Sequence, residues 1–321
     1  MNDLPKTMKA LVAYGNGDYR LETAYPVPEC GEDDIIIKTE GCGICAGDLK
    51  CQHGAAMFWG DEKEAPWVKP PFIPGHEFVG RIVKMGSQVK GFSLGDRITA
   101  DQIVPCGECR FCKSGRYWMC QPHSIFGFQN TNNGGMAENV RYPKTSVISR
   151  VPEDMPLDQA LLIEPYGCSK HAVDRAQIGN EDVVVISGAG TLGLGMITYA
   201  RMKNPSKLIS LDMADNRLEK AKEFGADITI NPFVGCSKCS PACDNCYAER
   251  FAARLAKNPK TAAKYAGVVD EDGKWNGWIS ELDMTCFDKL PKKPSRIFLG
   301  CMTDFFHENA YTAVEKNNGQ S

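Results

Sequence analysis

Four cysteines within one short stretch, Cys106, Cys109, Cys112 and Cys120 in "CGECRFCKSGRYWMC", constrain this chain more than any other feature. Two residues separate each of the first three, and seven precede the fourth. Four thiolates are what tetrahedral structural zinc requires, and the short spacings let a single loop wrap the ion. An iron–sulfur cluster is the chemical alternative; zinc is the expected occupant. The chain has 15 cysteines in all, and compartment decides what the others do. No apolar run reaches the ~18 residues of a membrane span, and no signal-peptide pattern opens the N-terminus. A cytoplasmic location is therefore expected, with Cys30, Cys42, Cys51, Cys168, Cys286 and Cys301 as reduced thiols, mostly packed in cores. The net charge is −3 with no lysine or arginine block, so neither nucleic acid nor a membrane surface is expected as a partner.

At 321 residues and 43% hydrophobic, the chain is long enough for about two domains. The period of its apolar residues changes along the way. "MKALVAY" (8–14), "DDIIIKT" (33–39), "EFVGRIVKMG", "GDRITA" and "GGMAENVRYP" are short strands punctuated by glycine, which suggests a small barrel or sandwich through about residue 150. Between the first two strands lies a Pro/Glu/Gly turn region. From "DMPLDQALLIEPYGCSKHAVDRAQI" the spacing is helical.

Then "DVVVIS" reads as a buried parallel strand, because it is a continuous β-branched run. "GAGTLGLGMITYARM" is a glycine turn opening a helix, "KLISLD" a second strand, "ADNRLEKAKEFGA" a second helix and "DITIN" a third strand. This is one βαβαβ half of a doubly wound sheet. Gly188, Gly190 and Gly193 satisfy G-x-G-x-x-G between strand and helix. The first makes the tight turn, the second admits a pyrophosphate at the helix N-terminus, and the third lets helix pack on strand. Asp212 ends the next strand, where a carboxylate would bond ribose hydroxyls and repel a 2′-phosphate, which favours NAD over NADP. Thr191 and Leu192 between the glycines, and Arg217 on the following helix, complete the candidate cofactor-binding set.

A second metal site is too dispersed for spacing to reveal. Cys45 lies in "GICAGD", His76 and Glu77 in "PGHE", and Glu164 in "LIEP". Taken in order, "GCGICAGD", "IPGHEFVGRIV", "GDRI", the four-cysteine lobe, "LIEP" and "GAGTLG" resemble the zinc-dependent medium-chain alcohol dehydrogenase family. The similarity is closer to its polyol and threonine dehydrogenase branch and covers about residues 8–231. It implies a GroES-like barrel as a catalytic domain over residues 1–180, followed by a partial Rossmann NAD-binding domain over 181–231. It also implies a catalytic zinc held by Cys45, His76 and either Glu77 or Glu164. Glu164 is the first choice, with Glu77 near the metal or behind it. Asp48 is expected to orient the His76 ring. The chemistry needs an open zinc position, where the metal acts as a Lewis acid and lowers the pKa of a bound alcohol before hydride leaves for NAD.

The family's relay positions depart from its pattern. Many relatives carry Ser or Thr two residues after the cysteine ligand and His three beyond that; this chain has Gly47 and Lys50. His53 is the nearest imidazole, although a structural role is the more ordinary one for it. Phe58 and Trp59 either line a substrate cleft or, as aromatic residues more often do, pack.

After Asn231-Pro232 nothing dehydrogenase-like resumes. Cys239, Cys243 and Cys246 form C-x-x-x-C-x-x-C, the spacing by which radical-SAM enzymes hold a [4Fe–4S] cluster, and zinc is the alternative there. With "GKWNGW" and "KKPSRIFLGCMTDFFHE", the stretch from about 231 to 310 resembles an uncharacterised phage family with such a motif. Residues 232–321 thus read as a cysteine-rich α/β tail from a different family, with a helix at "AERFAARLAKNP", a strand at "RIFLGCM" and a structural His307. The expected activity is zinc-dependent hydride transfer from a secondary alcohol of a polyol to NAD. The alternatives are an iron–sulfur enzyme acting through the 239–246 cysteines and a non-catalytic zinc-binding chimera. A homo-oligomer stays open, but the region that carries the family's dimer surface is absent. A half sheet would also leave its third strand as an edge and its apolar faces uncovered, and so the 181–231 region unstable or aggregation-prone, unless the tail covers them.

Overall fold

The computed structural model describes residues 4–212, 214–230, 247–259, 262–265, 267–274, 276 and 297–298. The chain divides into two compact units, Met1–Pro165 and Tyr166–Ser321. No described helix is long and apolar enough to cross a membrane.

The first unit is antiparallel. A hairpin joins β1 (Thr7–Gly15) to β2 (Asp18–Pro26), and a five-stranded sheet follows. That sheet contains β3 (Ile35–Gly43), β4 (Glu77–Met85), β5 (Arg97–Ala100), β6 (Asn139–Tyr142) and β7 (Ile148–Arg150), in the order β6-β3-β4-β5-β7. Its core follows the period of two that strands impose. Ile35 and Ile37, Phe78 and Ile82, Ile98 and Ala100, and Val140 and Tyr142 all point into one buried cluster. Phe78 stacks on Tyr142 at 5.6 Å and meets Phe126 edge-on at 5.5 Å, the two favoured aromatic geometries. β2 occupies what the sequence marks as a turn region. Leu21 is 71% exposed and the strand buries neither face, so no apolar alternation signals it.

Four short helices decorate this unit: α1 (Ala46–Gln52), α2 (Ala56–Trp59), α3 (Arg110–Lys113) and α4 (Leu157–Ala160). α5 (Ile163–Ala176) crosses the boundary between the units. The sequence reading extends the first domain to residue 180, yet Val173 packs with Val184, Ile186 and Ile197 of the second unit.

A buried cation ties the end of the barrel together. Arg97, with a side chain 5% exposed, donates from Nε to Glu40 Oε2 at 2.6 Å and from Nη1 to the carbonyls of Met155 (2.5 Å) and Pro152 (3.3 Å). Glu40 also pairs with Arg81 at 2.8 Å. Arg97→Ala would leave Glu40 to Arg81 alone and take the guanidinium from the Met155 and Pro152 carbonyls, and is expected to destabilise the fold by about 3 kcal/mol. Urea unfolding of the full chain measures this; an unchanged midpoint would mean that water replaces the guanidinium.

The second unit contains β8 (Val183–Ser187), α6 (Thr191–Met202), β9 (Lys207–Leu211), α7 (Asp215–Glu223) and β10 (Ile228–Ile230). Val184, Ile186 and Leu208 face α6, whereas Val185, Ile209, Leu211 and Ile230 form a second buried cluster. The apolar residues on both faces of the half sheet are therefore buried. The tail contributes α8 (Tyr247–Ala256), α9 (Ala262–Tyr265) and a short strand, β11 (Ile297–Phe298). The parallel sheet runs β10-β9-β8-β11. β10 is its outer strand among the described residues, as expected, but the opposite edge is occupied by the tail.

Candidate metal centres and cofactor site

Cys45 stands at the N-cap of α1 with extended backbone (φ −79°, ψ 152°). It is held by a capping box in which its sulfur accepts from the Asp48 N–H while Asp48 Oδ2 accepts from the Cys45 N–H at 2.9 Å. "CAGD" is thus a thiol version of the S-x-x-E signature, which fixes both side chains locally. His76 immediately precedes β4, where the antiparallel register pairs Glu77 with Gly43. A Cβ on Gly43 would lie 2.4 Å from Glu77 Oε2, so the glycine leaves the space that the carboxylate takes. Cys45, His76 and Glu77 bring one ligand atom each to within 4.8 Å of one another.

Glu164, the first choice for the third position, is not part of this group; Glu77 is. Glu164, on α5, lies outside the 4.8 Å that gathers the three ligand atoms. Its charge still reaches the imidazole. Burial opposes protonation of His76, but Asp48, Cys45 and Glu164 around it carry its pKa up to about 10. Burial likewise raises the Glu77 carboxyl, reinforced by Asp48. Asp48 Oδ1 faces His76 Nδ1 at 3.6 Å, beyond hydrogen-bond length, and both buried atoms lack a partner. A half-buried thiol, a buried imidazole and a half-buried carboxylate whose ligand atoms converge suit a divalent cation, and their S, N and O donors suit zinc. The Phe128 ring lies 5.4 Å from His76. Neither Gly43 nor Phe128 carries a sequence signal beyond being a glycine and an apolar residue near known motifs.

The four cysteines of the lobe also converge within 4.8 Å. Cys106 and Cys112 sulfurs are 3.9 Å apart, and those of Cys109 and Cys112 are 3.5 Å apart. Thiolates at about 2.3 Å from a tetrahedral zinc would be about 3.8 Å apart. Backbone N–H groups already aim at the sulfurs: Cys106 N at Cys120 Sγ (3.3 Å) and Cys109 N at Cys106 Sγ (3.4 Å). Donors from the Cys112 and Gln121 backbone pull the Cys109 thiol down to about 6, while burial pushes Cys112 up to about 12. Thiols split in this way resist sharing negative charge, a conflict that a dication removes.

Other residues fall where packing puts them. Phe58 is buried and stacks on Phe128 at 5.1 Å, and Trp59 Nε1 donates to the Cys51 carbonyl at 2.6 Å. His53 is exposed at the C-cap of α1, and Cys168 is exposed on α5. Cys42 is a packed thiol that burial raises to about 12. Gly47 has open room: a Cβ there would sit 3.7 Å from Cys45 Sγ and 3.9 Å from Phe128. Cys239, Cys243, Cys246, Cys286, Cys301 and His307 lie outside the described residues.

In the second unit Gly188 has a positive φ of 94°, and a Cβ on Gly193 would stand 1.8 Å from the Gly188 carbonyl oxygen. Gly190 is the N-cap of α6, with Thr191 as its first residue. Ser169 Oγ donates to the Leu192 carbonyl at 2.9 Å, fastening the loop to α5. Asp212 is 3% exposed; Oδ2 accepts from Ala189 N at 2.7 Å and Oδ1 from Ala214 N at 2.8 Å. Each oxygen keeps a second acceptor lobe. Arg217 Nη1 lies 3.9 Å away and is half exposed.

Residues 31–153 match the alcohol dehydrogenase GroES-like domain, and residues 223–317 match a protein family of unknown function, DUF5131. The second match lends no iron–sulfur assignment. The chain is 48% identical over 233 residues to an erythritol/L-threitol dehydrogenase of Mycolicibacterium smegmatis, covering 72% of this chain and 64% of the relative. It is 32% identical to a sorbitol dehydrogenase of Bacillus subtilis, over 71% of this chain and 62% of that protein. It thus spans less than two thirds of these relatives' lengths. Among solved structures, a protein of Sinorhizobium meliloti 1021 described as a zinc-binding dehydrogenase and bound to NADP superposes with a TM-score of 0.64. Its identity is 31%, over 71% of this chain and 63% of its own. Ahead of its tail, this chain is similar to the zinc-type medium-chain alcohol, polyol and threonine dehydrogenases.

Proposed function

We propose that the chain is a zinc-dependent oxidoreductase that transfers a hydride from a secondary alcohol of a small polyol to NAD. The observation that carries this reading is the convergence of the ligand atoms of Cys45, His76 and Glu77, with the buried Asp48 beside the imidazole. Zinc bound there would supply a Lewis acid that makes the alcohol a better hydride donor. Cys45 and His76 would hold it, with Glu77 as third donor and Glu164 adding negative potential from close by. Asp48 positions His76, fixing which nitrogen faces the site. The four cysteines of the lobe would hold a structural zinc.

On the cofactor side, Gly188, Gly190, Thr191, Leu192 and Gly193 would cradle a pyrophosphate. Asp212 supports NAD over NADP, because a 2′-phosphate would meet a buried carboxylate. Residues 1–180, 181–231 and 232–321 remain the proposed barrel, dinucleotide half and tail. The similarity to erythritol/L-threitol and sorbitol dehydrogenases makes four- to six-carbon polyols the substrates to try. Zinc-loaded protein is expected to reduce NAD, and NADP much less, with erythritol, L-threitol or sorbitol. Silence across the panel with both sites loaded would overturn the catalytic reading.

A further inference from the structure

We propose that the tail is an intramolecular complement of the dinucleotide-binding half, in which Ile297–Phe298 fills the strand position beside β8 and Tyr265 anchors the intervening chain on α7. In a doubly wound sheet the first strand is interior: the second strand lies on one side of it and the fourth on the other. β8 is such a strand, buried along nearly its whole length and paired in register with β9 on one side only by its own half. Left alone, its other edge would present a row of unpaired backbone donors and acceptors, costly in a buried strand.

The tail supplies the missing ladder. Ile297 pairs with Val185 and Phe298 with Ile186, parallel to β8, as a fourth strand would run. A parallel neighbour needs a long crossover, and this one carries α8 and α9, whose Ala252 and Tyr265 share a buried cluster with Val268 just beyond α9. Tyr265 is 8% exposed, and its hydroxyl donates to Asp215 Oδ2 at 3.4 Å in the first turn of α7. Burial and the nearby Asp215 carboxylate raise its pKa to about 12, so it keeps the proton that this bond needs. The residues matched by the second family, 223–317, contain all of these elements. The complement therefore comes from a lineage other than the half it completes. It acts where it matters for binding, because β8 runs directly into Gly188 of the glycine loop.

The test is hydrogen exchange on the full-length protein, which is independent of catalysis and so can fail or succeed without touching the dehydrogenase reading. Of the Ile297 and Phe298 amides, the one that faces β8 is expected in the wild type to be protected and to open together with those of Val184 to Ser187. Ile297→Pro/Phe298→Pro, which removes the ladder donor whichever of the two residues carries it, is expected to speed exchange at Val184 to Ser187 at least about tenfold. The Met8 to Ala13 amides of β1 should not change. Tyr265→Phe should produce a smaller rise confined to the second unit. Unprotected 297–298 amides in the wild type would overturn the proposal even if the proline variant fails to fold. So would β8 amides indifferent to the proline pair.

Discussion

His76→Ala is expected to remove one zinc equivalent from the purified protein and abolish alcohol oxidation, while the four-cysteine lobe keeps its metal. The imidazole is 5% exposed and wedged between Asp48 and the Phe128 ring. Its loss leaves Cys45 and Glu77 as two donors, too few for a catalytic zinc with three protein ligands. Lewis-acid stabilisation of several kcal/mol would vanish, at least about a thousandfold in turnover. Asp48 would remain buried with one oxygen facing a void, so a lower melting temperature should accompany the loss. Zinc content and turnover, measured on the same preparation, separate this from simple unfolding. Protein that retains both zincs after His76→Ala would show that the dispersed group is not a metal site.

How legible such sites are depends on how local their geometry is. The lobe could be read from spacing because its four sulfurs come from one short stretch whose turns bring them together. The dispersed group depends on β3 and β4 pairing so that Glu77 falls opposite Gly43, which no local pattern encodes. Family resemblance supplied its members, with Glu77 or Glu164 as the third. The same logic separates the strands. β3 and β4 alternate apolar residues toward one core and stand out, whereas β2 lies half in water and has no such signature. At the other extreme, "RIFLGCM" could be recognised as a strand, but its partner could not. Its pairing with β8 is set by an open edge more than a hundred residues earlier in the chain.

The glycine loop allows two causes of the same residue type to be told apart. Gly193→Ala would place a methyl carbon 1.8 Å from the Gly188 backbone oxygen. A clash of this severity exceeds ordinary overpacking of about 1–3 kcal/mol, so the second unit is expected to lose stability and cofactor binding together. Gly190→Ala is the contrast. Gly190 has φ −77° and ψ −170°, a conformation open to any residue, and nothing lies within 4 Å of the added carbon. The protein without cofactor therefore has no structural need for a glycine at 190. If the position serves a pyrophosphate that must approach the backbone closely, Gly190→Ala should melt like the wild type yet bind NAD at least about tenfold more weakly. Calorimetric titration with NAD beside a thermal melt reads both quantities. Unchanged NAD affinity in Gly190→Ala would move the phosphate away from this loop, and with it the reading of Asp212 as the ribose-binding carboxylate.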